Sequence, residues 1–392
     1  MGEGGIDIML FWIILIAALL FEGRQILEEW FEEPSFFQKD ELIGRVKRHP
    51  QLIGLLLALL CSSFSLNLAY AILGIVLLIR SADVLIGGAE VVAVKANIPP
   101  IVIGVLIIGL GTSMPELFVN VISALKGDTN IAFGNIVGSN ISNMGLVIGI
   151  AGWMAGRINI QKSIITAEIP VMLASTLLVV FQVLDFPPFS HAAAQPDLSR
   201  QDGLVMLLGI AVYLLYTFHV IANVPPNPNV REEYRERYGQ KSELRTWIKA
   251  IGEIVLGIVG LYFGGDFTVS GASAIAIGLG AGTLVVGVII GIGTSLPELA
   301  TAISSVMKNQ TDLVIGNVVG SNIFNLLLIL GATTLIEPIR LTPGVAGHLL
   351  FLVVATVLFF FALGTRKELS RLEAILLTAL GVGYLFYSLI TG

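Results

Sequence analysis

Residues 109–143 read GLGTSMPELFVNVISALKGDTNIAFGNIVGSNISN, and residues 291–325 read GIGTSLPELATAISSVMKNQTDLVIGNVVGSNIFN. Glu116 and Glu298 are 298 − 116 = 182 positions apart, and Ser139 and Ser321 are 321 − 139 = 182 apart, so the copies align without a gap. The shared positions are oxygen-bearing and helix-breaking residues, which two unrelated apolar segments would not keep in common. A repeat of this kind indicates a protein built from two related halves.

The composition indicates a membrane protein. Of the 392 residues, 55% are hydrophobic and only 13% are charged, with a mean hydropathy of +0.88, whereas soluble domains carry roughly a quarter charged residues. The single cysteine, Cys61, excludes a disulfide scaffold and a cysteine metal site, and four scattered histidines disfavour a histidine cluster. No basic patch suggests a nucleic-acid partner, and nothing in the sequence indicates a bound cofactor or a protein partner.

Ten apolar segments have the roughly 20 residues that a membrane-spanning helix needs. They lie at about 66–93, 100–125, 130–154, 163–184, 203–223, 248–279, 284–308, 311–335, 344–363 and 370–390. A proline-rich, charged stretch separates the first five from the last five. An odd number of helices per half places the second half in the opposite orientation, so the repeat is predicted to be inverted.

We therefore expect an all-α polytopic membrane protein with a ten-helix core of two inverted five-helix repeats, plus one or two extra N-terminal helices. The predicted parts are an N-terminal extension with one or two membrane helices and a surface segment (1–65), a first repeat (66–223), a linker (224–247) and a second repeat (248–392). The apolar run at 8–21 lacks a basic start and a cleavage site, so it is interpreted as a retained helix.

Basic residues predict the orientation. Arginine and lysine collect in the linker, after the third core segment and before the last one, and these loops share one face. That face is cytoplasmic by the positive-inside rule, in a multi-pass protein of the cell membrane. Within the first core segment, Arg80 and Asp83 are three residues apart on one helix face, where they are expected to pair.

The repeated motif predicts a cation site. Pro115 and Pro297 have no amide N–H and clash with the carbonyl four residues earlier, so each helix must break there and free backbone carbonyls. A glutamate follows each proline, and a carboxylate inside a membrane persists when a cation or proton neutralises it. Small residues usually serve helix packing, but the duplicated pattern disfavours packing alone.

Hydroxyl and amide oxygens accompany the two glutamates. These are Thr112, Ser113, Ser139 and Asn143 in the first copy, and Thr294, Ser295, Ser321 and Asn325 in the second. Ser139 and Asn143 are four apart and share a helix face. Such hard oxygen ligands suit Ca²⁺ or Na⁺ rather than soft transition metals. The neighbouring Asn140 and Asn322 fit capping or interhelical hydrogen bonds equally well, and Asn135 and Asn317 stay undecided.

These motifs resemble the two repeats of the calcium/cation antiporter superfamily, and specifically those of prokaryotic sodium/calcium exchangers. The resemblance runs from about residue 66 to the C-terminus and is strongest over the two motifs. It implies exchange of Ca²⁺ for Na⁺ by alternating access. Glu116 and Glu298 would be the central Ca²⁺ ligands, completed by the backbone carbonyls of Thr112 and Thr294. Flanking sodium sites would use Gly109, Ser113, Ser321, Gly291, Ser295 and Ser139, while Asn143 and Asn325 would line the centre.

The sequence departs from several of these exchangers, which carry an aspartate where this chain has Asn325. Two glutamates balance one Ca²⁺ or two Na⁺, so stoichiometry and K⁺ dependence stay open. The main alternative is a proton-coupled cation antiporter, because paired buried carboxylates favour proton binding once the cation has left. A membrane-embedded enzyme is disfavoured, since the motifs hold no HExxH and no histidine beside a serine. A channel using the same oxygens would differ by its rate and its independence of a counter-ion.

Overall fold

We analysed a computed structural model of the chain, which describes residues 66–96, 100–127, 129–160, 164–184, 197–221, 243–279, 292–341, 345–364 and 368–391. The predicted N-terminal extension and most of the linker lie outside these residues. In chain order the helices are α1 (Leu66–Ala96), α2 (Pro100–Ile103, Gly104–Gly109 and Leu110–Thr112), α3 (Met114–Lys126), α4 (Thr129–Ser142, Asn143–Val147 and Ile148–Ala155), α5 (Ile164–Glu168 and Ile169–Val183), α6 (Arg200–Tyr216 and Thr217–Ile221), α7 (Glu243–Gly278), α8 (Leu296–Met307), α9 (Thr311–Ile323, Phe324–Ile329 and Leu330–Ile336), α10 (Val345–Gly364) and α11 (Arg371–Thr391).

Eight of the described helices are long and apolar enough to cross a membrane, and a ninth span results if α2 and α3 are counted together. The apolar helix α8 has 12 described residues and corresponds to the end of the seventh predicted core segment. The prediction of an all-α polytopic membrane protein is thereby confirmed. The inverted relation between the halves stays a prediction.

Most helix ends lie within a few residues of the predicted ones. The main differences are that α7 begins at Glu243, inside the predicted linker, and that α6 begins at Arg200, before its expected start. Ser199 explains the early start of α6, because its hydroxyl accepts the amide of Asp202 while the Asp202 carboxylate accepts the amide of Ser199. This reciprocal capping box satisfies two amides at the helix start.

The predicted break before the first glutamate is present. Helices α2 and α3 meet at a 48° bend around Ser113, two residues before Pro115. One detail differs from the expectation. The carbonyl of Gly109 is not left unpaired, because it accepts the amide of Ser113 at 3.2 Å and also lies within hydrogen-bond distance of two hydroxyl groups described below.

Wide π-helical turns interrupt three of the helices at the motif. They span Gly104–Gly109 in α2, Asn143–Val147 in α4 and Phe324–Ile329 in α9. Each contains a predicted site residue, namely Gly109, Asn143 or Asn325. A π-helical turn shifts the register of the side chains that follow, and such turns are frequent at functional sites.

Glycines allow the motif helices to pack backbone against backbone. A Cβ atom on Gly320 of α9 would lie 2.6 Å from the carbonyl oxygen of Val105 in α2. A Cβ atom on Gly145 of α4 would lie 2.7 Å from the Cα atom of Gly381 in α11. Close contact between small residues is a usual basis of helix association in membranes.

Two short antiparallel strand pairs connect the halves. Strand β1 (Arg157–Asn159) follows α4 and pairs with β4 (Glu368–Ser370), which precedes α11. Strand β2 (Asp197–Leu198) precedes α6 and pairs with β3 (Ile339–Arg340), which follows α9. Each pair thus joins the end of one half's motif helix to the start of the other half's last helix. The sequence analysis did not predict these strands.

The chain divides into two compact units. The described residues of the first are 66–80, 263–279 and 292–293, in which Tyr70 and Phe267 make an edge-to-face ring contact with centroids 5.1 Å apart. The second unit contains the remaining described residues, including every described residue of the candidate site, and all further contacts discussed are within it.

Candidate functional site

The two motif glutamates are completely buried. Glu116 lies in the first turn of α3 and Glu298 in the first turn of α8, each directly after its proline. Neither oxygen of the Glu116 carboxylate has a hydrogen-bond partner, and the same holds for Oε2 of Glu298. The two carboxylates are near enough to repel each other. Their placement at the starts of two helices also puts them where the helix dipoles favour negative charge.

The other oxygen of Glu298 receives two hydroxyl groups. Ser113 and Ser321 each donate to Oε1 at 3.3 Å. Ser113 belongs to the first copy of the motif, so its bond to Glu298 crosses from one copy to the other. Glu298 is thus positioned by both copies while one of its oxygens stays without a partner.

The hydroxyl groups before and after the glutamates also pair between the copies. Thr112 Oγ1 lies 3.2 Å from Ser321 Oγ, and the two hydroxyl oxygens lie 3.3 and 3.1 Å respectively from the carbonyl oxygen of Gly109, which is an alternative acceptor for each hydroxyl proton. The equivalent pair, Ser139 and Thr294, has its hydroxyl oxygens 3.2 Å apart. The two contacts are equivalent. Thr294 corresponds to Thr112 because 112 + 182 = 294, and Ser139 corresponds to Ser321 because 321 − 182 = 139, so each contact pairs a threonine of one copy with a serine of the other.

The motif asparagines form a second pair of equivalent contacts between the two copies. Asn143 donates from Nδ2 to Oδ1 of Asn322 at 3.2 Å, and Asn325 donates from Nδ2 to Oδ1 of Asn140 at 2.9 Å. The Nδ2 group of Asn143 and that of Asn325 each have an acceptor, whereas Oδ1 of both residues has no partner. Asn140 and Asn322 make the interhelical bonds that were one of their two expected roles, and in doing so they orient the asparagines predicted to line the centre.

Asn317 and Thr301 also belong to this network, although the sequence left the first undecided and did not suggest the second. Thr112 donates to Oδ1 of Asn317 at 3.0 Å, and Asn317 donates from Nδ2 to Thr301 Oγ1 at 2.8 Å. Its counterpart in the first copy, Asn135, instead donates to Oδ1 of Asn120 at 2.8 Å. The GN dipeptide in both copies marked Asn135 and Asn317 as equivalent positions. The repeat does not show that they bind different partners.

Eleven of the twelve predicted site residues are described, and Gly291 lies outside the described residues. Hydrogen bonds bring together Gly109, Thr112, Ser113, Glu298 and Ser321, and a separate hydrogen bond joins Ser139 to Thr294. Glu116 interacts electrostatically with Glu298. Ser295 is buried next to Thr294, and its hydroxyl oxygen has no partner. Asn143 and Asn325 are fully buried on α4 and α9, the helices that carry Ser139 and Ser321.

The motif leaves six buried oxygens without a hydrogen-bond partner. They are Oε1 and Oε2 of Glu116, Oε2 of Glu298, Oγ of Ser295, and Oδ1 of Asn143 and of Asn325. A buried polar atom without a partner costs about 1–3 kcal/mol, and more when it is charged. All six can accept a cation, and they come from both copies. Their chemistry fits a hard cation such as Ca²⁺ or Na⁺.

A separate set of polar contacts lies between α1 and the turn from α8 to α9. Lys308 Nζ is 3.2 Å from Oδ1 of Asp83, which also accepts a hydrogen bond from Ser304. Gln310 donates to the carboxylate of Glu90. Asp83 thus has a basic partner from the turn after α8, and its predicted pairing with Arg80 stays a prediction.

Comparison with known proteins identifies the family. The model of the sodium/calcium exchanger protein family matches residues 66–221 and 249–390. A putative antiporter, CaxA, from Alkalimonas amylolytica is 34% identical over 320 residues, which cover 80% of this chain and 96% of that protein. The sodium/calcium exchanger MaX1 from Methanosarcina acetivorans is 27% identical over 350 residues, which cover 82% and 98%.

A solved structure supports the same assignment. The sodium-calcium exchanger NCX_Mj, soaked with 10 mM Na⁺ and zero Ca²⁺, superposes with a TM-score of 0.68 at 25% identity, covering 82% of this chain and 98% of that one. The resemblance inferred from the two motifs is therefore confirmed. The chain belongs to the sodium/calcium exchanger family, as a membrane-embedded calcium/cation antiporter that resembles the prokaryotic exchangers.

Proposed function

We propose that this protein exchanges Ca²⁺ for Na⁺ across the cell membrane, with Glu116 and Glu298 as the central ligands. The observation that carries the proposal is the group of six buried oxygens without partners, contributed by both copies of the motif. Two of the three carboxylate oxygens among them belong to Glu116, which is fully buried. Glu116 therefore has its whole carboxylate available to bind a cation.

The oxygen inventory supports Ca²⁺ as one substrate. Ca²⁺ takes about six to eight oxygen ligands in flexible geometry, including carboxylates and carbonyls. The oxygens without partners supply six such ligands, and the carbonyls of Thr112 and Thr294 are proposed to complete the coordination shell. One Ca²⁺ also balances the two negative charges of Glu116 and Glu298.

The neutral oxygens support Na⁺ as the other substrate. Gly109, Ser113 and Ser321 are linked to Glu298 or to each other by hydrogen bonds. Ser139 and Ser295 occupy the corresponding places in the other copy, and Gly291 is their expected companion. A monovalent ion can be held by such neutral groups with part of one carboxylate, so each side is proposed to form a sodium site.

Sharing of ligands explains exchange rather than co-transport. Ca²⁺ needs both carboxylates, whereas sodium ions on the two sides use the same carboxylates with the hydroxyl groups, so the two loads exclude each other. The equivalent contacts Thr112–Ser321 and Thr294–Ser139 are what an inverted repeat would produce, and they support alternating access by movement of one part of the protein about a fixed site.

Uptake of radiolabelled Ca²⁺ into proteoliposomes tests the proposal. We expect an outward Na⁺ gradient to drive uptake, and we expect Glu116→Gln or Glu298→Gln to abolish it. Glu253→Gln is the matched control, because Glu253 pairs with Lys249 through Oε1 on α7 and is not among the site residues. Sodium-driven uptake that persists in either site variant would contradict the ligand assignment.

Proton coupling is the second candidate, favoured by the repulsion between the two buried carboxylates. Protons on Glu116 and Glu298 would remove this repulsion when Ca²⁺ leaves. In the same vesicles, uptake driven by a pH gradient without Na⁺ would identify protons as the counter-ion, and uptake driven only by Na⁺ would exclude them.

A further inference from the structure

A third buried glutamate lies outside the candidate cation site. Glu168 is the last residue of the π-helical segment that begins α5 and is only 1% exposed, in a helix that would span the membrane. Tyr213 of α6, which is 3% exposed, donates its hydroxyl to Oε2 of Glu168. The other carboxylate oxygen, Oε1, has no hydrogen-bond partner. None of the cation-site contacts includes this pair.

The immediate surroundings of Glu168 in the described part of the chain are uncharged. From α6, the facing titratable group is Tyr213, with Tyr216 one turn further along the same helix. Helix α5 also packs against α9, α10 and strand β2, which carries Asp197. Its contacts with α9 and α10 are Met172 with Asn322 and Thr176 with Thr356, and all four of these side chains are neutral.

The second half also holds a titratable group that contacts a tyrosine hydroxyl. Thr176 contacts Thr356 across the halves at an offset of 356 − 176 = 180, and this offset relates Glu168 to His348. Nδ1 of His348 is 3.2 Å from the hydroxyl of Tyr384. In the last helix of each half, Tyr213 and Tyr384 are 384 − 213 = 171 apart.

An ionised Glu168 would be a bare charge inside the membrane with one neutral hydroxyl donor. Such a charge is costly without a partner of opposite sign. A metal cation would need about six oxygens, and this pair offers one carboxylate and one hydroxyl. A proton satisfies the carboxyl alone. We propose that Glu168 is a proton-binding site separate from the cation site, with the proton on Oε1 while Oε2 accepts the Tyr213 hydroxyl.

Occupation of this site would keep α5 and α6 packed together. In the protonated form the contact is between two neutral groups, and its hydrogen bond links the two helices directly. Loss of the proton would place a negative charge between them, so the contact weakens as pH rises. Protons would thus act on the protein at a place that neither Ca²⁺ nor Na⁺ occupies.

Infrared spectroscopy of the purified full-length protein at neutral pH tests the proposal. The measurement is made with saturating Ca²⁺, which keeps Glu116 and Glu298 ionised. We expect a carbonyl-stretching band of a protonated carboxylic acid that disappears in Glu168→Gln and persists in Glu253→Gln. A spectrum in which Glu168→Gln removes no such band would overturn the proposal. The cation-site hypothesis is tested separately by transport, so the two can fail independently.

A second variant covers the case in which Glu168→Gln does not fold. Tyr213→Phe removes the hydroxyl that Oε2 accepts and leaves the carboxyl in place. We expect the protonated-carboxyl band to remain and to move to higher frequency, because its carbonyl loses a hydrogen bond. A band at unchanged frequency would mean that it belongs to another carboxyl group, and the proposal would be abandoned.

Discussion

Replacement of Glu116 by glutamine removes one carboxylate from the proposed cation site without breaking a hydrogen bond inside the protein. Both carboxylate oxygens of Glu116 lack partners, and the side chain is fully buried beside a second carboxylate. Glutamine has almost the same shape and no charge. The variant should therefore fold, and without cations it should be at least as stable as the natural protein, because the repulsion from Glu298 is gone.

The same change should weaken Ca²⁺ binding strongly. Removing one partner of a buried charge pair costs about 3–5 kcal/mol. At about 1.4 kcal/mol for each factor of ten, this is a loss of about 100-fold to several thousand-fold in affinity. At a Ca²⁺ concentration of about 100 times the natural dissociation constant, bound Ca²⁺ stabilises the natural protein by about 2.7 kcal/mol. A 100-fold weaker variant would gain only about 0.4 kcal/mol under the same condition.

Two measurements test these effects. Thermal unfolding in detergent, with and without Ca²⁺, measures stability, and equilibrium binding of radiolabelled Ca²⁺ measures affinity. We expect Glu116→Gln to match or exceed the natural protein in melting temperature without cations and to lose nearly all of the Ca²⁺-induced increase. Glu253→Gln should keep the full increase. The reasoning is refuted if Glu116→Gln binds Ca²⁺ within about threefold of the natural protein, a difference of less than about 1 kcal/mol.

Three further changes test the packing and the charge balance. Gly320→Ala should destabilise the protein, because a Cβ atom would lie 2.6 Å from the carbonyl oxygen of Val105. Gly138→Ala at the equivalent position should be tolerated, since its Cβ atom would meet only a tyrosine hydroxyl at 4.0 Å. The melting temperatures of the two variants test this difference. Asn325→Asp adds a third negative charge, so exchange should become more sensitive to an imposed membrane potential, and an unchanged voltage dependence of Ca²⁺ uptake would contradict this. Ser321→Ala removes a hydroxyl that donates to Glu298 and should weaken Na⁺ activation about fivefold, which corresponds to one hydrogen bond of about 1 kcal/mol; Na⁺ titration of uptake measures it.

Much of the fold could be predicted because its signals are local. A spanning helix needs a continuous run of about 20 apolar residues, and such runs are visible without knowledge of their neighbours. Pro115 breaks its own helix for steric reasons, so the bend at Ser113 follows from the sequence as well. Where a local signal was overlooked, as with the Ser199–Asp202 capping box, the predicted start of α6 was a few residues late.

The partners within the site could not be predicted in the same way. The repeat identified Asn140 and Asn322 but not their bonds to Asn325 and Asn143, which join residues 185 and 179 positions apart. The π-helical turns likewise depend on how α2, α4 and α9 pack, and they change which side chains face the centre. Glu168 had no motif to mark it, since its relation to Tyr213 appears only when α5 and α6 are brought together.

By itself, the sequence determined the class of the protein, the approximate extent of most of its described helices, the break before Glu116, and the kinds of oxygen available to a cation. These properties depend on composition, spacing and short-range sterics. Only the tertiary structure decided which of those oxygens are already used by neighbours and which are left for an ion. That outcome depends on the packing of distant segments, because several buried oxygens of the site are paired by side chains that the other half of the chain places beside them.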